Sequence, residues 1–252
     1  MPTVKTLCIF ILLAASAQDW RSYEQQLEKV ATHAMPAVVA VLNTDLGVIR
    51  GSAFFINEDG YFLTAAHVLK EYTAHSGRVV VTIRLRDESG SGKSFDVVEK
   101  DEKLDVALCK INGYAAIRKD GSFNVGSLEL SSSPPTVGRL VVIAGFPLGS
   151  WNPAVQAGHI AADHTMFPVA GIAYHLFQVS VGGNQGDSGG PVIDFGTGKV
   201  IGITLIGSLS GRTSGQGITL QSSGLMYAVP ISKISEMLTR HNIAVEGIGA
   251  AR

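Results

Sequence analysis

The sequence predicts an all-β fold laid out as two units of short strands. Three observations lead there. Glycine is abundant, 29 of 252 residues, which suits many tight turns and not a helical bundle. Apolar runs rich in β-branched residues recur at strand length and are bounded by turn residues. Residues 112–138, rich in Gly, Ser and Pro and containing Pro134-Pro135, read as a connector with strands on both sides and no βαβ alternation.

The elements follow in order. Residues 18–35 form an N-terminal helical segment, because 20–33 (WRSYEQQLEKVATH) holds good helix formers with a mixed polar face. After Pro36 the pattern turns to strand. Residues 37–42 are a short apolar run. Residues 51–56 and 61–64, joined by Asn57-Glu58-Asp59-Gly60, read as a hairpin. Strands at 79–86, 91–98 and 105–111 complete a first unit over about 36–112. Runs at 140–144, 156–161, 172–181, 191–193, 200–205 and 225–229 make a second unit over about 138–230. An amphipathic helix over 231–242 and a tail of 243–252 close the chain.

Charge narrows the function classes. Twenty Lys+Arg stand against 21 Asp+Glu, which excludes the basic surface of a nucleic-acid binder. With 46% apolar and 16% charged residues, a disordered acidic chain is excluded too. Residues 1–17 carry Lys5, a short apolar core and Ala15-Ser16-Ala17, the order of a cleaved secretory signal. The apolar run is shorter than the roughly 20 residues that span a bilayer. No stable membrane span is expected after cleavage. Cys8 would leave with the signal and Cys109 would remain alone, without an internal disulfide. A single thiol fits an exported bacterial protein, periplasmic or secreted.

Three segments carry chemistry: Thr64-Ala65-Ala66-His67, Asp105-Val106-Ala107-Leu108 and Gly186-Asp187-Ser188-Gly189-Gly190-Pro191. Ser188 sits in a glycine-rich turn where backbone N–H groups can converge beside its hydroxyl. A serine hydroxyl needs a base to become a nucleophile. A neutral imidazole supplies that base, and a carboxylate fixes its tautomer. Each residue alone is weak evidence; the set in this order points to acyl transfer. Gly186-x-Ser188-x-Gly190 also fits a nucleophile elbow, but that elbow must lead into a helix and Pro191-Val192-Ile193 reads as strand. His159, Asp163, His164 and His175 match no metal-site spacing. No metal or organic cofactor is implied.

These segments resemble the three signatures of trypsin-like serine proteases of the chymotrypsin fold. GSAFFINEDGYFLTAAHVL, AGFPLG and GLMYAVPISKISEML are similar to the HtrA-type bacterial members, so the resemblance covers about 36–240. It implies two antiparallel six-stranded β-barrels with short N- and C-terminal helices. It also implies His67 as general base, Asp105 as its orienting partner, Ser188 as nucleophile and the N–H groups of Gly186 and Ser188 as the oxyanion hole. Polypeptides, unfolded or extended, are the implied substrates. Activity should then fall in acid as His67 takes up a proton. The chain departs from HtrA-type members at Asp187, where they usually carry Asn. No activation sequence of the Ile-Val-Gly-Gly type is evident, so Asp187 is expected to accept local backbone hydrogen bonds. About ten residues follow the last helix, so no PDZ-like module is expected.

By the same resemblance the side chain before the scissile bond enters a pocket walled by 182–185 and 203–207. Gly182 falls where a trypsin-type pocket carries Asp. Gly182, Gly183, Thr204, Leu205 and Ile206 therefore suggest a neutral pocket for small or aliphatic side chains. The strand at 203–207 is a candidate for pairing with substrate backbone. Residues 208–217 read as a specificity loop or a surface connection. Two other functions fit the same residues: a catalytically silent peptide-binding module and an esterase with the same triad.

Overall fold

The structure, a computed structural model, describes residues 20–70, 72, 79–84, 89–169, 172–205 and 224–248, without the side chains of Arg84 and of 166–174. The expected signal segment, Ile206 and the 208–217 stretch lie outside the described residues. Helix α1 spans residues 20–34. Its Val30 and Ala34 are buried, Tyr23 stacks on Phe195 at 5.1 Å, and Gln26 Nε2 donates to the Phe195 carbonyl. One face of the helix is thus held against the second β unit.

The first unit contains β1 (Val38–Asn43), β2 (Val48–Phe55), β3 (Tyr61–Ala65), β4 (Val79–Arg84), β5 (Gly90–Lys93), β6 (Asp96–Asp101) and β7 (Val106–Lys110). They form a seven-stranded sheet in the order β5-β4-β1-β2-β3-β7-β6. The 57–60 hairpin turn is present, with Asn57 Oδ1 accepting from the N–H groups of Asp59 and Tyr61. The sequence predicts one strand over 91–98, and the chain divides it into β5 and β6. At the bend Phe95 turns inward, packing edge-on to Phe62 at 5.2 Å and stacking on Tyr72 at 5.0 Å. Because only Ser94 and Phe95 separate them, the two edges of the sheet are consecutive pieces of one bent stretch. The sheet therefore wraps into a half-barrel whose hydrogen-bonded ladder stays open at that bend.

The second unit is a closed six-stranded barrel, as expected: β8 (Leu140–Gly145), β9 (Ala154–Val169), β10 (Ile172–Val179), β11 (Pro191–Asp194), β12 (Val200–Leu205) and β13 (Met226–Pro230), in the order β10-β13-β12-β11-β8-β9. Val141, Ile143, Ile160, Phe177 and Val192 fill its interior. The chain between the units is not featureless: α2 (Tyr114–Lys119) lies within it, with Tyr114 stacked on Phe55 at 4.3 Å and its hydroxyl donating to the Gly126 carbonyl. The C-terminal helix begins as a 3-10 turn (Ile231–Ile234) and continues as α3 (Ser235–Arg240). Arg240 and His241 reach back to Glu99 on β6. Ser52 on β2 bonds to Phe146, Gly186 and Ser188 of the second unit, and Thr64 and Ala65 on β3 lie against Gly189.

Candidate active site

His67 follows β3 directly, in a 3-10 turn (Ala66–Leu69) whose Val68 and Leu69 are buried and anchor it. Its side chain is 31% exposed, so the imidazole is partly open to solvent. Asp105 ends the tight turn before β7. Asp101 Oδ1 accepts from the N–H groups of Lys103 and Leu104 and closes that turn. Asp105 has φ of +56°, a region that Asp tolerates better than most residues but still at a cost. Three hydrogen bonds to the His67 turn hold it there. The Asp105 carbonyl accepts from Ala66 N–H at 2.9 Å, Oδ1 accepts from His67 N–H at 2.8 Å, and Oδ2 lies 2.7 Å from His67 Nδ1. A carboxylate there takes a proton donated from Nδ1, which leaves Nε2 as the ring's acceptor.

Ser188 is buried in a turn shaped by its glycines. Gly186 has φ of +99° and lies so close to the Phe146 carbonyl that a Cβ would sit 2.1 Å from it. Gly189 has φ of +88°, and a Cβ there would meet the Ser52 carbonyl at 2.2 Å. No other residue type fits either position. The Ser188 carbonyl accepts from Ser52 N–H at 2.8 Å. A Cβ on Gly51 would lie 2.7 Å from that carbonyl and 2.6 Å from Val68 Cγ2. The serine turn of one unit and the histidine turn of the other therefore close on the same glycine.

Asp187 is buried beside Ser188. Its Oδ2 accepts from Asn184 N–H at 3.0 Å, the local backbone bond expected of it. Burial pushes its carboxyl up to about 6, against the opposing hydrogen bonds from Asn184 and Gln156. Gly182 and Gly183 lie in the loop before Asn184, and the Gly182 carbonyl accepts from Asn184 Nδ2. Thr204 is fully buried, and its hydroxyl donates to the Asp187 and Gly190 carbonyls. Leu205 is buried in the core.

The expectation of a substrate-pairing strand over 203–207 is narrowed at its first two residues, and Ile206 and Gly207 lie outside the described residues. The N–H of Thr204 donates to Gly190 and its carbonyl accepts from Gly189, while Ile203 pairs with both Pro191 and Val229. Residues 203 and 204 have no free ladder to offer an added strand. His159 Nδ1 lies 2.8 Å from Ser180 Oγ, and His164 faces His175 across β9 and β10 at 5.1 Å between ring centroids. Among the described residues no three His, Cys, Asp or Glu side chains converge as a metal site.

Sequence reasoning missed two features. Ser52 was legible only as part of a strand, although a hydroxyl in an apolar run (GSAFFI) signals a buried polar contact. A groove of about 490 Å³ opens beside Gly186, lined by Val48, Arg50, Leu148, Gly149 and Gln185. Leu148 sits at φ +57° and is 79% exposed on the rim.

Residues 51–203 match the sequence profile of a trypsin-like peptidase domain. The chain is 32% identical over 182 residues to a probable periplasmic serine endoprotease, DegP-like, from Halomonas elongata, covering 72% of this chain and 32% of that protein. It is 29% identical over 241 residues to the serine protease HTRA1B of Danio rerio, covering 90% of this chain and 43% of that one. The chain thus spans less than half the length of these curated relatives. Among solved structures it is similar to the HtrA-type protease AlgW with tripeptide, with a TM-score of 0.62 and 24% identity over 86% of this chain and 65% of that chain.

Proposed function

This chain belongs to the trypsin-like peptidase family, and on that premise we propose that it is a serine endopeptidase that works through an acyl-enzyme on Ser188. The observation that carries the reading is the His67–Asp105 pair, in which both carboxylate oxygens are engaged by His67, one through its backbone N–H and one through Nδ1. Ser188 Oγ attacks the scissile carbonyl while His67 Nε2 takes its proton. Asp105 stays ionised and stabilises the imidazolium. The carbonyl oxygen becomes an oxyanion held by the N–H groups of Gly186 and Ser188. The C–N bond then breaks, and His67 returns the proton to the leaving amine. Water, deprotonated by the same imidazole, releases the acid. The chain needs no metal or organic cofactor for these steps.

Substrates are unfolded or extended polypeptides. The segment before the scissile bond lies near Gly182 and Gly183, and small or aliphatic side chains are preferred because no carboxylate lines that loop to pair with Lys or Arg. The far side of the substrate lies in the groove beside Gly186 and Leu148. Leu205 borders the pocket, with Thr204 beneath it, and Ile206 is assigned to the same wall by the family resemblance alone. The periplasmic DegP-like relatives support export as the chain's destination.

The protein and its Ser188→Ala variant, each exposed to a fluorophosphonate probe and to reduced casein, test the reading. Labelling and cleavage by the unaltered protein alone are expected, with cleavage sites enriched in Ala, Val and related residues. Labelling without cleavage would move the activity to an esterase. Peptide binding with neither reaction would make it a binding module.

A further inference from the structure

We propose that Ser52, a residue of the first unit, is the positioning residue of the oxyanion loop in the second. The inference rests on the peptidase reading above, since it concerns the donors at Gly186 and Ser188. Ser52 is fully buried on β2. A hydroxyl in such a place is costly unless its hydrogen-bonding capacity is used. Its Oγ donates to the Gly186 carbonyl at 2.6 Å and accepts from Phe146 N–H at 3.0 Å. Its own N–H donates to the Ser188 carbonyl at 2.8 Å, and its carbonyl accepts from Thr64 Oγ1 at 2.7 Å. Every polar group of this one residue is therefore engaged, and three of the four bonds cross to the second unit.

The targets matter more than their number. Gly186 and Ser188 are the two residues whose N–H groups would bind the oxyanion, and Ser52 holds the carbonyl of each. Each of these carbonyls belongs to the peptide after the donor's own, so Ser52 fixes the donor residues from their C-terminal side. The plane that carries the Ser188 N–H is held through the Asp187 carbonyl, which accepts from Thr204 Oγ1 and Gly190 N–H. In a trans peptide the N–H points opposite to the C=O. The plane preceding Gly186 is held as well, because Leu148 N–H donates to the Gln185 carbonyl at 2.5 Å. That direction turns the Gly186 N–H away from the 147–149 turn. The turn in its own right starts from Phe146, whose N–H is bonded to Ser52 Oγ. One hydroxyl thus ties down both the loop that carries the donor and the turn that aims it. Gly145 leaves no slack: a Cβ there would sit 2.8 Å from Ser52 Oγ. Donors already in place before charge develops are what make an oxyanion hole effective.

The test uses Ser52→Ala, and Ser52→Cys as a near-isosteric residue with a weak donor. Rates of phosphonylation by the fluorophosphonate probe are compared with those of the unaltered protein. Affinity for a casein-derived peptide is measured with the same changes in the Ser188→Ala background. The expected result is a phosphonylation rate lower by about 100-fold, the loss typical of removing one oxyanion donor. Peptide affinity should stay within about 3-fold, because ground-state binding is not what Ser52 serves. A rate within about 3-fold of the unaltered protein overturns the role of Ser52 and leaves the peptidase reading standing. Parallel loss of rate and affinity makes Ser52 a structural residue, and so does failure of both variants to fold. An unaltered protein that does not react with the probe overturns the peptidase reading itself.

Discussion

Two aspartates in this chain show how local contacts decide what a carboxyl does. Asp105 is kept at positive φ by bonds to Ala66 and His67, so its strain and the role proposed for it share one set of contacts. Asp105→Asn keeps the size and tolerates the same backbone region, but its amide nitrogen cannot accept. Either the backbone N–H or Nδ1 of His67 then loses its partner. Turnover of a casein-derived peptide should fall on the order of 10⁴-fold with the melting temperature little changed; a loss under about 10-fold would remove Asp105 from the mechanism. Asp187 behaves oppositely, because burial raises its carboxyl to about 6. The unfolded chain releases that proton near pH 4. Between about pH 4 and 6 the folded protein holds a proton that the unfolded chain has lost, so stability falls as pH rises through that window. Above it the cost is constant, at most about 3 kcal/mol. Asp187→Asn escapes this cost. Its advantage in urea unfolding over the unaltered protein should widen from pH 4.5 to pH 6.5, and a constant gap would mean that Asp187 does not titrate there.

Among the elements, those legible in the sequence are the ones whose pattern reflects burial on their own faces. Strands β2 and β3 read correctly because apolar residues fill them and Asn57 to Gly60 mark the turn. Helix α2 was hidden in the connector because six residues are too few to display a helical period. It persists through tertiary contacts, above all Tyr114. Tyr114→Phe keeps the stacking on Phe55 and removes only the bond to Gly126. It should cost about 1 kcal/mol in urea unfolding, and a change within about 0.3 kcal/mol would show the bond to be neutral. Strand β9 runs far past the predicted 156–161. Asp163 and His164 are both exposed there, so no alternation of apolar and polar residues marks it as strand. The bend between β5 and β6 was equally hidden, since Phe95 looks like any strand residue until its ring is seen turned inward between Tyr72 and Phe62.

At the scale of the molecule, the seam between the units is where sequence reading stops and the site begins. His67 and Asp105, expected to meet, do so; the roles proposed for them and for Ser188 rest on a chemistry that restricts which side chains will serve. Ser52 was not legible, because its partners are backbone groups more than 90 residues away, and any sequence supplies those. The seam is also apolar. One continuous core cluster joins Phe54, Leu63 and Leu108 of the first unit to Val142, Phe146, Ile203 and Val229 of the second. Neither unit can unfold without exposing the other's share of that cluster, so the two should unfold as one. Cys109 offers a reporter, since it is a free thiol buried in β7 and burial pushes its pKa up. In a Cys8→Ser background, its reaction with a thiol reagent reads the first unit, far-UV circular dichroism reads the whole, and phosphonylation of Ser188 reads the seam. All three should change at the same urea concentration. A thiol that becomes reactive while dichroism and labelling persist would mean that the first unit opens alone. The hydrogen bonds of Ser52 would then be too weak to couple the two units, although they still shape the site when both are folded.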